Sequence, residues 1–436
     1  MHRLFAWICS VPTAVLGMLL RRPRRVLIVL GIGALVLAAS SPFLWAGYHW
    51  YAAQTALKRY RNAEACRHLN ACLKIWPWSR SVRVHLLAAR AARRKGDVPE
   101  AFQRLEEVQS FLGDQSEDAL LEWAMIHAAS GDLEKVEGYL RNRAGNDPQR
   151  LPLILEAFTE GYLVVSRINE ALQCVNEWLR RDPDNVGALY LRSAIFRQVN
   201  AWAKAAPDLR RIMELDPEHP GVRWWLAIAL VNVGYYQEAL GHLEILRQRQ
   251  PDDVDIRVQE AICKHRLGRT REARELLDSV LAQYPDHGLA LLTRGQIDQM
   301  NGQLSAAEKW LRQAVHALPF DYKAHWMLRE CLRQQGKNEE AETVEAYANQ
   351  LRDRLARLSE ITTRQISKRP NDPALYCEAA QLALELGNAE GSKKWLLNAL
   401  LLDPHYVPAL MALADLYEKQ GDAASAEEYR RQAQLH

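Results

Sequence analysis

Thirteen histidines, seven cysteines and 53 carboxylates are the raw material for catalysis or metal binding in this chain. Their spacing assembles neither. The cysteines (Cys9, Cys66, Cys72, Cys174, Cys263, Cys331 and Cys377) are odd in number and scattered, with no C-x-x-C. That suits neither a disulfide framework nor a zinc site, and a free thiol in a helix behaves as a small apolar residue. Histidines such as His127 and His265 stand alone. Glu156 and Glu160 share a helical face at i, i+4, the reading being a solvated helix rather than an acid–base pair. G-x-x-x-x-G-K-S/T, G-x-S-x-G and H-E-x-x-H are all absent from the sequence, so phosphate-cradle, nucleophile-elbow and metalloprotease chemistry have no residues to carry them. The sequence predicts a protein that is not an enzyme, with no catalytic, metal or cofactor residues.

Charge is the first surface signal. The net charge of +3 conceals an asymmetry: residues 1–95 hold sixteen Lys or Arg against one acid, Glu64, and the rest holds forty against fifty-two. Lys and Arg near a bilayer are drawn to anionic headgroups. A basic segment can also serve nucleic acid, but this one adjoins an apolar stretch, so lipid is favoured and no nucleic acid is expected.

That stretch runs from Val26 to Tyr48 without a charged side chain. As a helix its 23 positions reach about 34 Å, enough to cross a hydrocarbon core of about 30 Å. Trp45, Tyr48, Trp50 and Tyr51 cluster at its far end, as interfacial rings do. Arg21, Arg22, Arg24 and Arg25 abut its near end, and Lys58, Arg59 and Arg61 follow the far one, forming a membrane-proximal basic set. The expectation is a transmembrane helix over 26–48 behind a basic segment, 1–25, which itself contains the short apolar run Leu4–Leu20. A cleavable signal peptide is the competing reading, with Ala38, Ala39 and Ser40 as the small residues; apolar character continuing through Phe43, Leu44 and Trp45 argues against it. The four arginines touching the span favour a cytoplasmic amino terminus and place the remainder on the extracytoplasmic side. Lys58, Arg59, Arg61 and Arg67 argue the other way, from farther off.

Beyond the span the signal is periodic. Pro183, Pro217, Pro251, Pro285 and Pro319 stand 34 residues apart, and Pro370 and Pro404 repeat the interval. Asp precedes proline at Asp147, Asp182, Asp216, Asp372 and Asp403. Twelve residues before the first five prolines come Ala171, Ala205, Ala239, Ala273 and Ala307. Seventeen before them come Ser166, Asn200, Gly234, Gly268 and Gly302, with Gly96, Gly131, Gly336, Gly387 and Gly421 in the same role elsewhere. Each type has a reason. Gly or Asn takes the left-handed conformation that ends a first helix. Alanine lets the paired axes approach, and proline stops the second helix for want of a donor. Leu209, Ile212 and Met213, like Leu243 and Leu246, fill the seam at helical spacing. A pair of helices so built cannot bury its apolar face alone, so neighbours stack.

This 34-residue pattern resembles the tetratricopeptide repeat (TPR). The resemblance covers nearly everything after the span: membrane-proximal degenerate repeats over 46–150, a regular array over 152–355, and carboxy-terminal repeats over 373–436. Pro319 and Pro370 are one and a half periods apart, which predicts an extended helix or half-repeat over 338–368. Pro207 falls inside a second helix. The family's bulky aromatic near the start of the first helix is mostly replaced by leucine (Leu155, Leu189 and Leu291). The resemblance implies an all-α fold, a right-handed superhelix of helix-turn-helix repeats, whose concave face, made by first helices, holds a protein or peptide partner. Carried onto this sequence, that face comprises Tyr190, Trp224, Ile228, Val258, Ile262, Leu292, Gln296, Trp326 and Glu330, apolar enough for an amphipathic helix or extended peptide. The Lys, Asn and Arg with which some relatives grip a terminal carboxylate are missing. The implied function is a membrane-anchored scaffold, the alternative being a non-catalytic accessory subunit of an envelope enzyme or assembly system.

Overall fold

The computed structural model describes residues 23–112 and 116–435, with the side chains of 23–34, 36–38, 111 and 112 outside that description. Leu4–Leu20, Arg21, Arg22, the side chains of Arg24 and Arg25, and Gly113, which stands where a repeat's proline would fall, therefore lie outside the described residues. Every regular element described is helical. The chain divides into two compact units between Glu122 and Trp123.

The first unit begins with α1 (Pro23–Lys58), 36 residues long, which carries Pro42 internally. Among the described residues no helix is long and apolar enough to cross a membrane; most side chains of the apolar stretch are outside that set. A left-handed residue, Tyr60 (φ 55°), reverses the chain into α2 (Asn62–Cys72), followed by a short 3₁₀ turn, Trp78–Arg80, and by α3 (Val82–Lys95) and α4 (Val98–Leu112). Small residues make the core, with Ala53, Ala65, Leu69, Cys72, Val84 and Ala91 clustered and buried.

The second unit takes up the repeat. Its helices are α5 (Glu117–Ala129, which begins just before the division), α6 (Leu133–Asn146), α7 (Leu151–Val164), α8 (Ile168–Arg181), α9 (Val186–Gln198), α10 (Trp202–Leu215), α11 (Val222–Val233), α12 (Tyr236–Arg249), α13 (Val254–Arg266), α14 (Thr270–Gln283), α15 (Gly288–Met300), α16 (Leu304–Ala317) and α17 (Tyr322–Gln334). They are followed by α18 (Asn338–Glu360), a π-helical turn (Ile361–Gln365) and a three-residue end, α19 (Ile366–Lys368). The last two pairs are α20 (Pro373–Glu385) with α21 (Ala389–Leu402), and α22 (Val407–Lys419) with α23 (Ala423–Gln434).

The punctuation acts as its chemistry dictates. Gly234, Gly268, Gly302, Gly336, Gly387 and Gly421 all take positive φ at the turn within a pair, and Ser166 (59°) and Asn200 (55°) do so where glycine is missing. First helices open on capping side chains: Asn185 accepts from the Ala188 amide, Asp253 from Ile256, His287 from Ala290 and Asp321 from Ala324, each satisfying a donor the helix leaves open. Ala171, Ala205, Ala239, Ala273 and Ala307 are completely buried at the crossings. Gly295 faces one of them; a Cβ there would sit 2.8 Å from Leu311. The helix over 338–360 outruns the others of the second unit, and the π turn that follows puts Ile361 and Ile366, five residues apart, into one core, a spacing regular α-helix does not align.

Ion pairs also pin repeats together. Glu308 on α16 accepts from Lys337 Nζ at 2.6 Å, just ahead of α18, and from Arg312 at 2.8 Å, while Arg312 reaches on to Glu340. Lys337, with Arg312 assisting, holds the Glu308 carboxyl down to about 2 against the opposing effect of burial. A carboxyl lowered in the folded state stabilises fully above its unfolded value, about 4.3, and loses that contribution as pH falls toward 2. The gap in unfolding midpoint between wild type and Glu308→Gln should therefore be constant at neutral pH and shrink between pH 4.5 and 2. For the packing, Gly295→Leu should lower stability by about 1–3 kcal/mol in urea unfolding, whereas Gly241→Leu, at a position with open space around it, should not.

Candidate functional site: the first-helix row and the seam

First helices of successive pairs touch one another, α9 with α7, α11 with α13, α13 with α15 and α15 with α17, so they form one layer and second helices another. Tyr190 (α9), Trp224 (α11), Val258 (α13), Leu292 (α15) and Trp326 (α17) occupy one register position, 34 residues apart. Ile228, Ile262, Gln296 and Glu330 follow a turn later. The structure divides the nine. Val258 and Leu292 are buried in the inter-repeat core, which corrects their placement on an accessible face: their neighbours close over an aliphatic chain too short to emerge. Tyr190, Trp224, Ile228, Ile262, Gln296 and Glu330 are half-buried and Trp326 is 36% exposed. Glu156 is also corrected: it is completely buried rather than on a solvated face.

Arginines support the rings of this row. The Arg329 guanidinium lies 3.5 Å from the Trp326 ring centroid, with Tyr322 on the same ring at 5.8 Å, and is paired with Glu330 at 3.0 Å. Arg197 lies 3.9 Å from the Trp225 ring and 5.9 Å from that of Tyr190, which also stacks on His219 at 5.8 Å. Stacking a cation on an aromatic face is favourable by about 0.5–2 kcal/mol. Burial pulls the Arg197 pKa below the ordinary arginine range. Its Nε and Nη1 are buried and meet no acceptor among the described residues. The repeat frame sets Trp225, next to Trp224, as a residue packing between adjacent units; Arg197, two turns beyond Tyr190, falls on no position that the frame selects.

The second unit also folds back onto itself. Asn398 on α21 donates from Nδ2 to the Val164 carbonyl at 3.0 Å, and the Tyr376 hydroxyl on α20 lies 3.4 Å from the Val165 carbonyl and 3.0 Å from that of Pro370. Asn169 Nδ2 reaches Ser367 Oγ at 2.9 Å. Val164 and Val165 end α7, where carbonyls lack partners within the helix, so residues more than 200 positions later cap it. Burial pushes the Tyr376 phenol up to about 12, so it stays a neutral donor at physiological pH. Gly131 completes the approach: a Cβ there would come within 3.0 Å of Leu401. Along this seam lies a cavity of about 190 Å³, walled by Leu133, Val165, Tyr376, Asn398, Leu401 and Leu402 among others. No group of three or more His, Cys, Asp or Glu is placed to hold a metal among the described residues, and the cysteines described are free thiols.

The repeat architecture is matched by known families. Tetratricopeptide repeat signatures cover residues 197–261, 233–297 and 264–330, and a second set covers 373–406 and 407–434. The chain carries tetratricopeptide repeats, and its second unit is an all-helical solenoid of that type. A TPR repeat-containing protein of Pseudomonas aeruginosa is 26% identical over 220 residues, 47% of this chain; the match spans only 35% of that relative's length. A TPR repeat-containing protein of Bacillus subtilis is 21% identical over 338 residues, 75% of this chain and 73% of its own. Among solved structures, human IFIT1, as a dimer with m7Gppp-AAAA, is 17% identical with a TM-score of 0.37, covering 81% of this chain and 90% of that one. A tetratricopeptide repeat protein from Parabacteroides merdae is 18% identical at 0.35, covering 58% and 98%.

If the seam caps α7 in solution, Asn398→Ala combined with Tyr376→Phe should cost about 1–3 kcal/mol. Hydrogen exchange should quicken at the Ser166 and Arg167 amides while α13–α16 keep their protection. Unchanged exchange at that turn would show that the seam contributes nothing.

Proposed function

We propose that the protein is a membrane-tethered scaffold that holds a protein segment along the first-helix face of its second unit. Tetratricopeptide repeats typically bind protein partners and are generally non-catalytic. The observation that carries the proposal is the row of accessible apolar and aromatic side chains repeated at 34 residues, Tyr190, Trp224 and Trp326 with Ile228 and Ile262. Rings already fixed by arginine stacking lose little freedom on binding, which favours them as anchors. An amphipathic helix or extended apolar segment fits such a row. The anchor is the apolar sequence Val26–Tyr48 on α1, with Arg21, Arg22, Arg24 and Arg25 on the cytoplasmic side and the repeats outside.

Photo-crosslinkers at Ile228 and Ile262 in the membrane-embedded protein should trap a partner at both positions and identify it. Against that partner, Trp224→Ala or Trp326→Ala should each weaken binding at least about tenfold, the loss expected of an aromatic anchor. Undiminished affinity in both variants would exclude the row as the binding surface. A reporter fused after His436 that works only in the cytoplasm would reverse the orientation.

A further inference from the structure

The first unit contains a second surface that the repeat frame does not use. From Tyr60, α2 runs back along α1, and three contacts fix its register. His68 meets His49 through their Nδ1 atoms at 2.6 Å, Cys72 Sγ lies 3.4 Å from the Ala46 carbonyl, and Trp78 packs on Trp50 with ring centroids 5.5 Å apart. Ala46 is two residues before Tyr48, the end of the apolar stretch. The hairpin therefore returns the chain, at the loop 73–81, to the level at which that stretch gives way to polar sequence.

The composition of this loop suits that level. Trp76 projects with 70% of its surface exposed, in the company of exposed Leu44, Trp45, Tyr48 and Tyr51 on α1. A large ring left this open meets no partner among the described residues of its unit, and Trp and Tyr concentrate where a bilayer meets water because the ring is apolar and its N–H or O–H is not. Lys74 and Arg80 on the loop are exposed, and with Arg83, stacked on Trp50 at 5.4 Å, they meet no carboxylate among the described residues. Cations unneutralised by the protein, set beside exposed rings, complement an anionic lipid surface. A protein partner would need a matching acidic and apolar patch at this depth, whereas a bilayer crossed by α1 is continuous with it.

We propose that the loop 73–81 is a second bilayer contact: Trp76 enters the boundary between headgroups and acyl chains while Lys74 and Arg80 pair with the phosphates of anionic phospholipid. This rests on reading Val26–Tyr48 as a span. It adds that the first unit lies against the membrane surface, held at two places instead of swinging from one.

The test uses the full chain with Cys9, Cys174 and Cys377 changed to Ser, reconstituted in vesicles of phosphatidylcholine alone or mixed with phosphatidylglycerol. An environment-sensitive fluorophore is attached at Trp76→Cys or at Leu35→Cys. Both positions are exposed, so neither label displaces packing. The label at 76 should be quenched by a nitroxide near the headgroup more than by one in mid-chain, and more strongly with phosphatidylglycerol present. A cation at an anionic surface is worth roughly fivefold in occupancy, so Lys74→Gln with Arg80→Gln should remove the phosphatidylglycerol-dependent part. A label at 76 that stays in water while the one at 35 is quenched overturns the loop contact and leaves the span standing. Both labels in water would remove the span and the loop contact together.

Discussion

Two helix axes can approach closely only where the side chain between them is nearly absent, and this array makes that contact through a completely buried alanine in each regular pair. Ala171, Ala205, Ala239, Ala273 and Ala307 set the distance at which each pair crosses; larger residues such as Leu209, Leu277 and Leu311 then fill the space beside the crossing. Neither helix of a pair hides its apolar stripe until a neighbour covers it, so the pairs stack and first helices gather in one layer. The row of rings at 34-residue spacing is a by-product of that stacking. An apolar row of this kind needs no cavity, only a repeated position left unfilled.

The layer is also held by charges placed where they cannot easily be hydrated. Glu260 and Asp298 are almost fully buried, meeting Arg247 and Lys264 in the first case and Arg274 and Arg294 in the second. Arg294 reaches Asp278 as well, at 2.7 Å. Such pairs add little net stability over an apolar core, but breaking one leaves a stranded charge, so they penalise any alternative stacking register. Arg192 with Asp208 at 2.6 Å does the same between helices of one pair. Specificity of stacking matters in an array whose apolar contacts are nearly alike from repeat to repeat.

Local chemistry was legible in the sequence where it depended on one residue. Ser166 and Asn200 could be placed at left-handed turns because the interval demanded such a turn and no glycine was present. Burial was less legible: position alone made Val258 and Leu292 equivalent to Trp224 and Trp326, and only side-chain length separates a residue that reaches past its neighbours from one that is covered. Arg197 escaped notice because its role depends on Trp225, a residue of the next repeat. The contact of Asn398 and Tyr376 with the end of α7 was invisible for a different reason. It joins residues more than 200 apart that obey no period, and it follows from accumulated curvature, to which every repeat contributes a small rotation.

That contact changes how the second unit can come apart. In a linear stack, position sets the order of melting: end repeats have one neighbour, inner repeats have two, and fraying proceeds inward. Here α7, close to the beginning of the unit, shares its terminal carbonyls with α20 and α21, close to its finish. A repeat near the start, already packed on α6 and α9, is thereby given a further neighbour from the far end of the unit. Loss of order at either extremity must then be felt at the other, and the unit behaves less like a zipper than like a belt fastened at its buckle.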